Sequence, residues 1–232
     1  MSRKTQKKLR KLLTLVSCAV LLVCVTIGAT VAYLTSQDQV VNTFTVGNVA
    51  ITLDEADVNP DGTYVNGVNQ RVDKNEYHLL PGHSYIKDPT IYVDNDSEDC
   101  YIYVKIVNQI SDIEKGDAAD TNNGEYLSIA KQMENKGWKQ LVVDGVTVSG
   151  VFYATKTVAG NETTAVFSKN DTVKVFDGFT LDNDAVVARY APVVDKDGKI
   201  ISQSKIEITA YAIQKDGFNT PEDAWAAANL LG

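Results

Sequence analysis

Two stretches of the chain alternate strictly between apolar and polar side chains, and that period limits the fold more than any other feature. In residues 100–106, Cys100, Ile102, Val104 and Ile106 share one parity, while Tyr101, Tyr103 and Lys105 share the other. Residues 205–213 repeat the pattern, with Ile206, Ile208, Ala210 and Ala212 opposite Lys205, Glu207, Thr209 and Tyr211. A period of two sends successive side chains to opposite faces, so each stretch reads as a strand with one buried face. Shorter strand signals follow at 86–93, 139–143, 151–155, 164–167, 172–181 and 186–190, separated by Gly, Asn and Asp clusters. Strands at this spacing predict an all-β fold of two packed antiparallel sheets.

Residues 44–53 are subtler. Phe44 and Val46 share one parity and Val49, Ile51 and Leu53 the other. A bulge at Gly47-Asn48 would bring all five to one face. The polar stretch 54–74 and the acidic stretch 112–125 read as surface insertions. Helix is scarce. Residues 126–135 space Leu127, Ala130 and Met133 for one face, with Gly137 as the stop. Thr220-Pro221-Glu222-Asp223 is a start signal, with an N-cap hydroxyl, proline at the first helical position and acids facing the positive helix end. It predicts a short C-terminal helix over 222–230.

The N-terminus belongs to a different class. Residues 2–11 carry six cations, and no further charged side chain occurs before Asp38. Residues 12–27 are almost wholly apolar, and Gly28, Ala29, Thr30 and Ala32 follow. A positive start, an apolar run and small residues at its end make a signal-peptide helix over 1–32. Cleavage after Ala32 places Thr30 at −3 and starts the mature chain at Tyr33. Two alternatives stay open: the charge-free run is long enough to span a hydrocarbon core of about 30 Å as an anchor, and Leu15-Val16-Ser17-Cys18 is similar to a lipobox, though few apolar residues precede it.

Residues 33–232 then form a single domain of 200 residues. Losing the leader leaves 16 Lys+Arg against 30 Asp+Glu, a net charge of −14. Such acidity repels phosphate, so nucleic acid is excluded as a partner. Cys18 and Cys24 lie in the leader, which leaves Cys100 alone and rules out an intramolecular disulfide after cleavage. The fold must rest on its hydrophobic core.

Catalytic motifs are sparse. The two histidines, His78 and His83, flank Pro81-Gly82, which breaks the helix that an H-E-x-x-H zinc site requires. A loop site with Glu76 as third ligand competes with two exposed turn histidines. Ser84 directly follows His83, and no G-x-S-x-G elbow, G-x-G-x-x-G or G-x-x-x-x-G-K-[ST] motif occurs. Cys100 shares its parity with Ile102 and Val104 and reads as a small buried hydrophobe. Asp94, Asp96, Glu98 and Asp99 form the densest oxygen cluster. They are candidate calcium ligands, against the alternative of a hydrated turn. No other cofactor is expected.

The string Gly28-Ala29-Thr30-Val31-Ala32-Tyr33-Leu34-Thr35, followed by Asn42-Thr43-Phe44-Thr45-Val46-Gly47-Asn48-Val49, resembles the SipW-dependent exported proteins of Gram-positive bacteria, the TasA/camelysin family. Leu80-Pro81-Gly82 with Lys87-Asp88-Pro89 is similar to the family's turn. Residues 208–214 and Asp223-Ala224-Trp225 look like its C-terminal half. The resemblance implies a jelly-roll sandwich, processing by a SipW-type signal peptidase, and a secreted biofilm-matrix or cell-surface location beside other matrix or cell-wall components. For TasA-like members it implies self-association into fibres by donation of the N-terminal strand, here Phe44, Val46, Val49 and Ile51. The same segment suits the first strand of a monomer, because donated and internal strands share one periodicity. Camelysin-like members imply a surface metalloendopeptidase, for which this sequence supplies no ligand constellation. A third possibility is an adhesin presenting Tyr64, Tyr77, Tyr85, Tyr92, Tyr101 and Tyr103.

Overall fold

The computed structural model describes residues 48–65, 70–158 and 162–228. The leader 1–32, the cleavage positions Thr30, Ala32 and Tyr33, and the strand positions Phe44 and Val46 lie outside them. The described residues are mostly strands in antiparallel sheets, with two short helices.

The two alternating stretches pair with each other. Strand β5 (Cys100–Asn108) and strand β15 (Ile206–Gln214) run antiparallel from Ile206 opposite Asn108 to Gln214 opposite Cys100. The other edge of β5 takes β7 (Val146–Ala154) and the short β10 (Val166–Phe167), and β6 (Trp138–Val143) extends the sheet beyond β7. A second sheet has the order β11–β4–β1–β2, from β1 (Ile51–Ala56), β2 (Arg71–Val72), β4 (Thr90–Val93) and β11 (Thr172–Lys174). Three small pairs complete the strands: β3 (Ser84–Ile86) with β12 (Gly178–Thr180), β8 (Lys156–Thr157) with β9 (Thr163–Thr164), and β13 (Val193–Val194) with β14 (Ile200–Ser202).

Both larger sheets feed one core. Ile91, Val93 and Val173 meet Cys100, Ile102 and Val104 there, together with Trp138, Phe176, Phe179 and Leu181. The expectation that β5 buries only one face is corrected. Tyr101 and Tyr103 are 3% and 0% exposed, in a second core with Leu141, Val151, Ala224 and Trp225. Helix α2 (Pro221–Ala228) causes this by laying Trp225 against Tyr103, ring centroids 4.9 Å apart, and edge-on to Tyr211. The Tyr103 hydroxyl is satisfied by donating to the Pro221 carbonyl at 2.7 Å, as burial of a phenol requires.

Helix α2 starts where its capping residues place it, with the Asp223 N–H donating to Thr220 Oγ1 at 3.1 Å and Pro221 as its first residue. Helix α1 (Ile129–Asn135) is shorter than the 126–135 reading, because Ser128 caps it and the Tyr126 N–H donates instead to Thr180 Oγ1. Gly137, at φ 87°, ends it in the left-handed conformation that favours glycine.

Other strand boundaries are corrected. The stretch 86–93 divides into β3 and β4, since Lys87, Asp88 and Pro89 leave the ladder between them and Pro89 has no N–H to give it. Likewise 172–181 divides into β11 and β12, and 164–167 into β9 and β10. Residues Val187–Tyr190 form a 3₁₀ turn, not a strand. Local bonds such as Arg189 N–H to the Val186 carbonyl replace a ladder there.

Candidate functional site

Strand β15 is the first candidate. One of its edges pairs with β5 along the whole strand, and the other has no strand partner among the described residues. Burial reflects this: Cys100 to Val104 of β5 are all buried, whereas every residue of β15 is half-buried or exposed. Ile208, Ala210 and Ala212 lean on the first core and Tyr211 and Ile213 on the second, each only part-covered. A strand laid along this edge would cover both margins and satisfy its open N–H and C=O groups. Strand β1 approaches β15 here. Its own second edge pairs only at Glu55 and Ala56, with β2.

The chain enters β1 along a fixed path. Glu98 N–H donates to the Asn48 carbonyl at 2.9 Å, Ala50 N–H to Ser97 Oγ at 3.3 Å, and Asp94 N–H to the Ala50 carbonyl at 3.0 Å. Ile51 then opposes Val93 in β4, and Val49 and Ile51 pack half-buried on the domain's own core. Of the four proposed assembly positions, these two pack on their own domain's core, Ile51 in β1 and Val49 just before it.

The acidic turn is part of that entry. Asp94 Oδ1 accepts from Thr52 Oγ1 at 3.3 Å and Asp96 Oδ2 from Asn48 Nδ2 at 3.2 Å, while the Asp99 carbonyl accepts from Lys215 N–H. Glu98 and Asp99 side chains are exposed. Among the described residues no group of three or more His, Cys, Asp or Glu converges to hold a metal ion. His78, His83 and Glu76 are all exposed. Of the six tyrosines, Tyr85, Tyr101 and Tyr103 are core residues, and Tyr64, Tyr77 and Tyr92 are half-buried. Burial pushes the Cys100 thiol up to about 11.

The second candidate was not legible in the sequence. The stretch 54–74, expected as a surface insertion, contains the end of β1 and all of β2 and supplies Asp54, Glu55 and Arg71 to a largely buried charged cluster. Arg71 spans two carboxylates: its Nε donates to Asp54 Oδ1 at 2.8 Å and its Nη1 to both Asp88 oxygens, at 3.0 and 2.9 Å. Burial opposes its charge, but Asp54 and Asp88 prevail and raise its pKa. Asp88 also accepts from the Ala56 N–H at 2.8 Å. Beside it, Lys87 Nζ pairs with Glu55 Oε2, with side chains only 8% and 6% exposed. Asn75 Nδ2 donates to the other Glu55 oxygen at 3.0 Å. Tyr77 lies over Lys87, its ring centroid 5.8 Å from Nζ, and is itself braced edge-on by Tyr85 and Phe179. Burial raises the Tyr77 pKa, so its hydroxyl stays a donor, to the Ile86 carbonyl at 3.0 Å. The sequence signal for this cluster was Lys87-Asp88 standing in an otherwise apolar strand context.

A shallow groove of about 530 Å³ between α1, β8 and β11 is lined by Lys136, Lys139, Lys156 and Lys174. Three of these lysines already pair with Asp177, Asp171 or Asp88. No family profile, curated protein or solved structure matches the chain.

Proposed function

We propose that this chain is an exported structural subunit of jelly-roll type that assembles outside a Gram-positive cell, after a SipW-type peptidase removes residues 1–32. In this reading the segment beginning at Tyr33 leaves its own domain and adds to β15 of the next copy. The observation that carries it is the nine-residue edge of β15, without a strand partner among the described residues and bordered by half-covered apolar side chains. The fixed path from Asn48 confines the donated part to residues 33–47, with Phe44 and Val46 seating on the neighbour and Val49 and Ile51 remaining on their own core. Main-chain hydrogen bonds would supply affinity and the two apolar side chains the register. An acidic mature surface keeps subunits soluble until pairing.

The second reading is a monomer whose own residues 33–47 fold back onto β15, favoured by Val49 and Ile51 packing on their own core. A metalloendopeptidase reading draws no support from the exposed, separate placement of His78 and His83. Electron microscopy of the protein beginning at Tyr33, beside the uncleaved form, tests the proposal. Fibres from the former and none from the latter are expected, and dispersed particles from both overturn it.

A further inference from the structure

The Lys87–Glu55–Asn75 cluster has the parts of a self-acylating site. Glu55 lies on β1, Lys87 follows β3, and Asn75 follows β2, so three separate segments converge. One carboxylate separates amine from amide: Glu55 Oε2 holds Lys87 Nζ and Oε1 holds Asn75 Nδ2. The carboxamide is fixed in one orientation, because Nδ2 also donates to the Ala56 carbonyl at 2.7 Å and Oδ1 accepts from the Val58 N–H at 3.0 Å. That N–H is a donor placed on the oxygen that gains charge when the amide carbon is attacked. Attack on the amide requires Lys87 as the free amine, and Glu55, paired with Nζ through one oxygen, is the group placed to take its proton.

We propose that Lys87 and Asn75 join in an intramolecular isopeptide bond, with Glu55 as the proton relay. The Nζ lone pair attacks Asn75 Cγ, and a Cγ–Nζ bond forms as the Cγ–Nδ2 bond breaks. Nζ loses two protons in all: Glu55 takes the first before attack, gives it to Nδ2 as the Cγ–Nδ2 bond breaks, and takes the second from Nζ, so that ammonia leaves and Glu55 ends as the carboxylic acid. Nothing is oxidised or reduced. Asp88 is unavailable as the acyl group because Arg71 and the Ala56 N–H hold its oxygens. The bond would tie β2 and the segment after it to the β3–β4 junction. Among the described residues the one cysteine is Cys100, buried in the other sheet.

The test is intact-mass and peptide analysis of the purified wild-type protein. The expected mass falls short of the sequence by one ammonia. Trypsin should fail to cut after Lys87 and should release residues 75–105 as one looped peptide short by one ammonia, which chymotrypsin, cutting after Tyr77 and Tyr85, should open to a branched peptide joining the Asn75 and Lys87 segments. Cyclic imide formation at an asparagine loses the same mass, so the branched peptide decides. Glu55→Gln and Lys87→Arg are each expected to retain the ammonia and yield only linear peptides. A full-mass protein with linear peptides overturns the proposal, and so does loss of water with a Glu55–Lys87 branch, which would make Glu55 the acyl group.

Discussion

Cys100 is held neutral by its surroundings rather than by any partner. Burial moves its thiol up to about 11, and reaction with disulfide reagents requires the thiolate. Protein beginning at Tyr33 should therefore, when native at pH 8, leave Cys100 unmodified by Ellman's reagent, with one thiol appearing on unfolding. Rapid native labelling would contradict this placement. Glu114 shows the opposite type of cost. Burial raises its pKa above the ordinary 4.5, against hydrogen bonds from Asn108 and the Ile129 N–H. Its neutral form suits the fold, so its contribution to stability is full below pH 4.5 and is lost as pH rises through the raised value. Glu114→Gln stays neutral, so denaturation midpoints of the variant should gain on wild type as pH rises above 4.5. A parallel pair of pH profiles would count against it. Arg71 compensates Asp54 and Asp88 together, and Arg71→Met, which leaves the buried Asp88 charge only Lys174 at 3.5 Å and the Ala56 N–H, should cost up to about 3 kcal/mol in urea unfolding.

Elements with a local code were readable in advance. Strands β5 and β15 followed from alternation, and α2 from Thr220, Pro221 and two acids within its first turn. Boundaries set by distant partners were not. Nothing near Tyr101 and Tyr103 announces that Trp225 will cover them, and nothing near Glu55 announces Lys87 and Asn75. Pro89 marks the break between β3 and β4, but its consequence depends on β12 taking one half and β11 with β1 the other. Close approach at Gly178 is equally non-local: a Cβ there would lie 2.4 Å from the Tyr85 carbonyl. Because α2 supplies the second core's lid, Trp225→Ala should destabilise the protein by about 3–5 kcal/mol and expose Tyr103, visible as increased tyrosine solvent accessibility in the native state. An unchanged unfolding midpoint would show that α2 is not a structural lid.

For the whole molecule, the question is what residues 33–47 do. From Asn48 into β1 the chain is bonded into its own domain, through Glu98, Ser97 and Asp94 and then through β4. In the proposed assembly the donated segment ends before Asn48, and it is taken up by β15, whose outer edge has no strand partner among the described residues. The sequence showed a leading segment uncharged apart from Asp38 and the alternation of β15, but not that β15 lies at a margin among the described residues, since edge and central strands share a period. The most direct test compares protein starting at Tyr33 with protein starting at Asn48, by sedimentation velocity and far-ultraviolet circular dichroism. The account predicts that the shorter chain is a folded, soluble monomer that binds a peptide of residues 33–47, while the longer chain sediments as polymers. An unfolded shorter chain, or a longer chain that stays monomeric, would contradict it.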